Sequence, residues 1–115
     1  MSSSPTVNQS CDVRAPVVGG TNGAAPQQLA GTGGTGVEST ALRGGEVATL
    51  LNGATAIRFR MGTGAIEAAT TDPILGPYGR FDWFVTTGVD DIVSIEAADG
   101  AATFEAHVWT SSGPR

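Results

Sequence analysis

From residue 37 onward, hydrophobic and polar positions alternate in short runs separated by Gly, Asn and Asp. The clearest run is Ile57-Arg58-Phe59-Arg60-Met61, where every second side chain is apolar and the intervening two are arginines. A period of two places successive side chains on opposite faces of a strand. We therefore predict a half-buried strand here, with both arginines on its solvated outer face.

The same pattern predicts further strands along the chain, at residues 37–43, 46–51, 54–61, 65–70 (a short edge strand), 80–86, 92–97 and 101–109. Asn52-Gly53 favours a two-residue hairpin turn between the second and third strands, since both residue types accept positive φ. Residues 72–79 contain two prolines and are predicted to be a loop. Residues 46–51 also fit helical spacing, so a short helix remains the alternative there.

These spacings predict an all-β fold, a small antiparallel β-sandwich (jelly-roll-like) or barrel. The inward-facing side chains should form one core, made of Phe59, Phe81, Trp83, Phe104 and either Ile92 or Ile95. Phe84 and Trp109 fall on the opposite faces of their strands, where we predict that they form contacts between subunits. The alternative is that they line the second face of a closed sandwich.

Residues 1–36 differ from the rest of the chain, because they are rich in Gly and Pro and contain no aromatic residue. Such a segment buries too little apolar surface to offset the entropy of ordering its backbone, roughly 1–2 kcal/mol per residue. We therefore divide the chain into an extended N-terminal arm, residues 1–36, and a β-sandwich body, residues 37–115. The sizeable apolar side chains of the arm are predicted to anchor it in partner chains: Val13, Val17, Val18 and Leu29.

Charge and cysteine content narrow the class of partner. The net charge is −5, and the six basic residues are all Arg, which argues against a nucleic-acid partner. Cys11 is the only cysteine, so no disulfide can form within one chain. A body this small therefore calls for oligomerisation or docking. Neither a signal peptide nor a membrane-spanning run is visible, and we expect no membrane partner.

The candidate chemistry is sparse. Residues 31–36 formally match GxGxxG, but no strand–turn–helix pattern surrounds them, as a dinucleotide site requires. His107 is the only histidine, and no nucleophile motif accompanies it. Asp90-Asp91 and Asp99 are better explained as turn residues than as calcium ligands. We predict no catalytic, cofactor-binding or metal-binding residues and no enzymatic activity.

The order of several short motifs in the body, from about residue 54 to 112, resembles small phage virion proteins, particularly head decoration proteins. The motifs are Ala56-Ile57-Arg58-Phe59-Arg60-Met61-Gly62, Ala69-Thr70-Thr71-Asp72-Pro73-Ile74-Leu75, Arg80-Phe81-Asp82-Trp83-Phe84-Val85-Thr86, Asp91-Ile92-Val93-Ser94-Ile95-Glu96-Ala97 and Asp99-Gly100-Ala101-Ala102-Thr103-Phe104. Where the family commonly has Pro-Ala-Gly before the aromatic strand, this chain has Gly76-Pro77-Tyr78-Gly79. The resemblance does not cover the arm.

This resemblance implies a bacteriophage virion structural protein with a β-sandwich body. We expect a capsid decoration or cement protein on the outer surface of the head, made in the host cytoplasm. Its expected partners are the major capsid protein and further copies of itself, as a trimer. One alternative is a tail, neck or fibre-base adaptor. Another is a carbohydrate-binding module, with Tyr78, Trp83 and Trp109 as stacking rings.

Overall fold

The computed structural model describes residues 26–112, in which eight β-strands and no helix are found. The strands are β1 (Gln27–Thr32), β2 (Val37–Glu38), β3 (Val47–Asn52), β4 (Ile57–Gly62), β5 (Ile74–Leu75), β6 (Arg80–Phe84), β7 (Ile92–Ala97) and β8 (Thr103–Ser111).

The strands form two antiparallel sheets of four strands. Sheet 1 has the order β1-β8-β3-β6, and sheet 2 has the order β2-β7-β4-β5. The first strand pairs with the last, the second with the seventh, the third with the sixth and the fourth with the fifth. This is the pairing of one long hairpin rolled up on itself, which the β8–β3 and β7–β4 ladders then close. The fold is an eight-stranded jelly roll, so of the sandwich and the barrel that the strand spacing predicted, the sandwich is confirmed.

The core lies between the two sheets and comes from every second residue of the long strands. Sheet 1 contributes Leu50, Phe104 and Val108, while sheet 2 contributes Ile57 and Ile95, and each is at most 1% exposed. The predicted aromatic core is confirmed. Phe59 lies in the same cluster, and Phe81 and Trp83 pack against it from the β6 edge.

The alternation also predicted which side chains face outward. Phe84 is 62% exposed, while Val85, the next residue, is fully buried. In β8 the inward residues are at most 2% exposed, and Glu105 between them is exposed. Residues 47–52 form a strand, so the helical alternative for that segment is excluded.

Four predictions of local structure are wrong. Residues 72–79 are not a loop throughout, because Ile74–Leu75 form β5 and pair with β4. The strand predicted at residues 37–43 ends after Val37–Glu38. Residues 39–43 then cross from sheet 2 to sheet 1. Asn52-Gly53 does not close a hairpin, because β3 and β4 belong to different sheets. Residues 65–70 form no edge strand; they run across the outer face of sheet 2, where the Ala68 N–H donates to the buried Ser94 hydroxyl at 2.9 Å.

The position of Gly53 explains why the turn signal misled. Its N–H donates to the Glu105 carbonyl of β8 at 2.9 Å, and a Cβ at this position would lie 2.7 Å from that oxygen. The glycine therefore permits a close backbone approach, not a positive φ. Asn52 is buried, and its amide group bridges the two chain crossings described below.

The boundary of the arm at residue 36 is also wrong. Residues 27–32 form β1, which pairs along its whole length with β8. Leu29 is 3% exposed and belongs to the core of its own chain, so it is not an anchor in a partner. The glycine content of this segment concealed the strand in the sequence. A Cβ on Gly31 would lie 2.9 Å from the Phe104 ring, so β8 supplies the large side chain that fills the core at this position. Residues 1–25 lie outside the described part, and with them Val13, Val17 and Val18.

Candidate interaction surface

The outer face of sheet 1 carries a group of apolar and aromatic side chains. We call it the outer patch and define it as Val47, Leu51, Phe84, His107 and Trp109. Phe84 is 62% exposed and Leu51 39% exposed. The other three side chains are half-buried.

The strand register makes the outer patch continuous. Val47 lies opposite Phe84, and Leu51 lies opposite His107. Thr49 lies between Asp82 and Trp109 and is only 4% exposed, so its neighbours on this face cover it. At ordinary strand spacing, the two positions predicted as subunit contacts, Phe84 and Trp109, are about 12 Å apart. The structure therefore brings both onto one face, which the alternation of each strand alone could not establish.

Charged side chains border the outer patch. On the β6 edge, Arg80 Nε lies 3.1 Å from Asp82 Oδ1, and both side chains are well exposed. Glu105 is exposed on the other side of His107 along β8. An exposed edge strand with charged residues resists unspecific pairing with other sheets. An apolar centre with a charged rim is the arrangement typical of a protein interface.

His107 lies in the outer patch as a half-buried residue of β8. Its neighbours across the ladders are Gln28 and Leu51. Within residues 26–112, no group of three or more His, Cys, Asp or Glu side chains is placed to hold a metal ion. His107 can therefore contribute to a contact surface.

The acidic residues singled out in the sequence have turn roles, as predicted. Asp90 accepts a hydrogen bond from the Thr86 N–H at 2.7 Å, and Asp99 accepts one from the Ala101 N–H at 3.1 Å. Asp91 accepts one from the Gly88 N–H at 3.1 Å. This bond and the Thr63 hydroxyl outweigh burial and hold the pKa of Asp91 below its ordinary value.

The sequence did not reveal the role of Arg58 and Arg60. Arg58 donates to the Asp72 carbonyl at 2.8 Å, and Arg60 donates to both carboxylate oxygens of Asp72 at 3.0–3.2 Å. Asp72 also accepts a hydrogen bond from the Ala69 N–H at 2.8 Å. The arginines thus fasten the loop before β5 onto sheet 2. Their period-two placement on an outer face was the available signal, but their partner is distant in sequence.

The three rings considered for sugar stacking do not share one face. Trp83 points inward against the core and donates its Nε1–H to the Asp90 carbonyl at 3.0 Å. Trp109 lies on the opposite face of sheet 1. Tyr78 is 73% exposed in the loop before β6, with a positive φ of 59°. At most two of these rings can contribute to a common platform, and Trp83 is not one of them.

In residues 26–112 there is no helix long and apolar enough to span a membrane. No protein-family model matches the chain, and neither does any curated protein or solved structure.

Proposed function

We propose that this chain is a bacteriophage virion structural protein that decorates or cements the capsid, binding through the outer patch and the N-terminal segment. The observation that carries the proposal is the outer patch, where Phe84 and Trp109 share one face of a rigid sheet. Exposed apolar patches of this kind commonly mark interaction sites. Jelly rolls occur in viral capsid proteins but also in lectins and cupins, so the fold by itself does not decide the function.

Three further features support a structural role on a particle. The order of motifs in the body resembles head decoration proteins, as described above. The acidic net charge of −5 suits the outer surface of a shell better than its DNA-lined interior. The core is built from apolar side chains, with the sheets in direct contact through residues such as Phe59, Ile95 and Phe104. Residues 65–72 cover part of the outer face of sheet 2, so the outer face of sheet 1 is the sheet surface available for contacts.

Binding through the outer patch fits association with several copies of one partner. In the proposed arrangement the outer patch contacts the major capsid protein or a neighbouring copy of this chain, as a trimer on the shell. Trp and Tyr side chains often dominate the binding energy at interfaces, and Trp109 on the same face as the exposed Phe84 is a suitable centre. The charged rim of Arg80, Asp82 and Glu105 would then fix orientation more than affinity.

Localisation on purified virions tests the proposal directly. An antibody against this chain should label the outer surface of the head in electron micrographs. Labelling confined to the neck, tail or fibre base would support the adaptor alternative instead. Particles that carry no label and contain no peptide of this chain by mass spectrometry would overturn both structural roles.

A substitution in the outer patch then tests whether this surface attaches the protein to the particle. Phe84→Ser should reduce the amount of protein that stays on washed particles, because it removes the most exposed apolar side chain of the outer patch. Ile74→Ser is the matched control, since Ile74 is 54% exposed but lies on β5 of the other sheet. Equal retention of both variants and the unaltered chain would show that the outer patch is not the attachment surface.

A further inference from the structure

The pair Asn52-Gly53 has a chemical reactivity that its structural role does not use. In such a pair the backbone nitrogen of the glycine can attack Cγ of the asparagine side chain. A bond forms between this nitrogen and Cγ, the side-chain amide leaves as ammonia, and water then opens the cyclic imide to aspartate or isoaspartate. Glycine favours the attack, since it has no side chain and its backbone reaches conformations that other residues resist. The sequence therefore marks this pair as a site of spontaneous deamidation.

The native structure holds the group that must leave. Asn52 is 3% exposed, and its Nδ2 donates to the carbonyls of Thr55, Leu75 and Gly76 at 2.8, 3.1 and 2.9 Å. Within residues 26–112, Asn52 Oδ1 accepts no hydrogen bond. Attack on Cγ would place negative charge on this oxygen, and such a charge needs hydrogen-bond donors for its stabilisation. In the folded protein the leaving group is thus fixed and the charge that develops has no donor.

The attacking nitrogen is held as well. The Gly53 N–H donates to the Glu105 carbonyl of β8 at 2.9 Å, and a Cβ on Gly53 would lie only 2.7 Å from that oxygen. The Asn52 N–H donates to the Gly79 carbonyl at 2.8 Å, so the backbone is fixed before the pair too. The attack requires the nitrogen to lose its proton and turn away from Glu105. The reaction therefore requires β8 to separate from this corner of the fold.

We propose that Asn52-Gly53 is a modification site that the native fold keeps closed and that deamidates only in molecules whose sheets have opened. In the product a carboxylate replaces the donor that faced the carbonyls, and a buried charge without donors is strongly unfavourable. The isoaspartate form also lengthens the main chain before Gly53 by a methylene group, which displaces the N–H from β8. Each reaction thus turns a transient opening into a permanent loss of the native state. This goes beyond the proposed function, because it concerns the isolated chain.

Peptide mass spectrometry measures the reaction as the exchange of the side-chain NH2 for OH. The full-length protein is incubated at mildly alkaline pH, with and without enough urea to unfold it. We expect Asn52 to react in urea and at least about a hundredfold more slowly without it, because unfolded molecules are well below about 1% of an ordinary folded protein. Asn22-Gly23, the same pair outside the described residues, gives the reference rate in urea. Equal rates at Asn52 in both samples, or an intact Asn52 in urea where Asn22 reacts, would overturn the proposal.

Two matched variants test whether opening of the fold controls the rate. Val85 is fully buried and lies beyond the Val47 end of β3, opposite to the end that carries Asn52. Val85→Ala should therefore speed the reaction of Asn52 without urea by at least about fivefold, through lower stability and not through local contact. Val89→Ala, the same change at a residue that is 61% exposed, should leave the rate unchanged. Equal rates in the two variants would show that the reaction does not pass through the opened fold, against the proposal.

Refolding tests the consequence of the modification. Protein deamidated in urea is separated by ion exchange, since each reaction adds a negative charge, and the urea is then removed. Molecules deamidated at Asn52 should fail to regain a cooperative thermal transition. Molecules deamidated at Asn22 alone should regain it, because Asn22 precedes all eight described strands. Full recovery of both fractions would contradict the permanent loss of the native state and overturn the proposal.

Discussion

At the scale of the residue, a few side chains have roles that their sequence neighbourhood conceals. Leu29 stands in a Gly-rich and Gln-containing segment, yet it is the single large apolar side chain that β1 contributes to the core. Asp72 precedes a proline in a loop, yet it receives hydrogen bonds from Ala69 and Arg60. The pairing of Leu29 with β8 and the contact of Asp72 with Arg60 join residues that are not neighbours in the sequence, and each leads to a test.

Leu29→Ala should destabilise the protein by about 2–5 kcal/mol, the usual cost of truncating a buried leucine. The cause is the loss of a side chain that is 3% exposed in the core cluster. Urea denaturation followed by tryptophan fluorescence measures this free energy. Gln28→Ala, the exposed neighbour on the same strand, should change it by less than about 0.5 kcal/mol. A Leu29→Ala protein as stable as the unaltered chain would contradict the placement of β1 in the body.

The stabilising effect of Asp72 should depend on pH. Burial raises the pKa of Asp72, but the hydrogen bonds from Ala69 and Arg60 and the charges of Arg60 and Arg58 outweigh it and hold the pKa below its ordinary value of 3.8. A carboxyl group whose pKa is lower in the folded state stabilises the fold above the unfolded-state pKa. That contribution disappears as the pH falls through the folded-state pKa.

We therefore expect Asp72→Asn to lower the free energy of unfolding at pH 7, with the difference shrinking as the pH drops below 3.8. Denaturant titrations of both proteins at several pH values measure the difference. Asp82→Asn is the control, because its Arg80 partner is exposed and such pairs contribute little. A difference that grew on acidification would contradict the assigned ion pair.

At the scale of the element, the crossings between the sheets are as important as the strands. Between β3 and β4 the chain leaves sheet 1 for sheet 2, and between β5 and β6 it returns. The Asn52 amide group joins these crossings by donating to the carbonyls of Thr55, Leu75 and Gly76 at 2.8–3.1 Å. The Tyr78 N–H donates to the Gly53 carbonyl at 2.7 Å nearby. One buried side chain thus holds two connections together.

Asn52→Leu should destabilise the protein by at least about 2 kcal/mol, although leucine is branched at Cγ as asparagine is. The carbonyls of Thr55 and Leu75, which belong to half-buried residues, would lose this donor, and each unsatisfied buried group costs about 1–3 kcal/mol. Thermal unfolding by circular dichroism measures the loss. Leu51→Asn is the matched control in β3, since that side chain points outward and is 39% exposed. An equal loss in the two variants would argue against a special role for the Asn52 bridge.

At the scale of the whole molecule, the paired ends of the described chain define the minimal folding unit. Strands β1 and β8 are the first and last strands and lie side by side. Removing β1 would uncover one edge of β8 and take Leu29 and the cover of Phe104 away from the core. The folded body therefore starts at about residue 26 and not at residue 37.

Deletion of residues 1–25 should leave a folded protein with a β-sheet circular dichroism spectrum and a cooperative thermal transition. Deletion of residues 1–36 should abolish or strongly broaden that transition, because it removes a strand paired over six residues. Both proteins are compared at the same low concentration, so that association does not contribute. Two equally cooperative transitions would restore residue 36 as the boundary of the arm.

The sequence by itself determined the all-β class, the strands from residue 80 onward and which faces of them are buried. These follow from a period-two pattern that is local, because successive side chains of a strand point to opposite sides wherever the strand lies. For the same reason Phe84 and Trp109 were correctly placed off the core face. They lie in one outer patch only because the strands are ordered β6-β3-β8, and no local sequence pattern encodes that order.

Only the tertiary structure decided where the arm ends, how the chain crosses between sheets and what Asp72 binds. Strand β1 has one large inward side chain, so its burial depends on the Phe104 ring supplied by β8. Asn52-Gly53 has the composition of a hairpin turn, but the sheet order sends the two flanking strands into different sheets. In each case the deciding contact joins residues distant along the chain, and such contacts exist only once the sheets have packed.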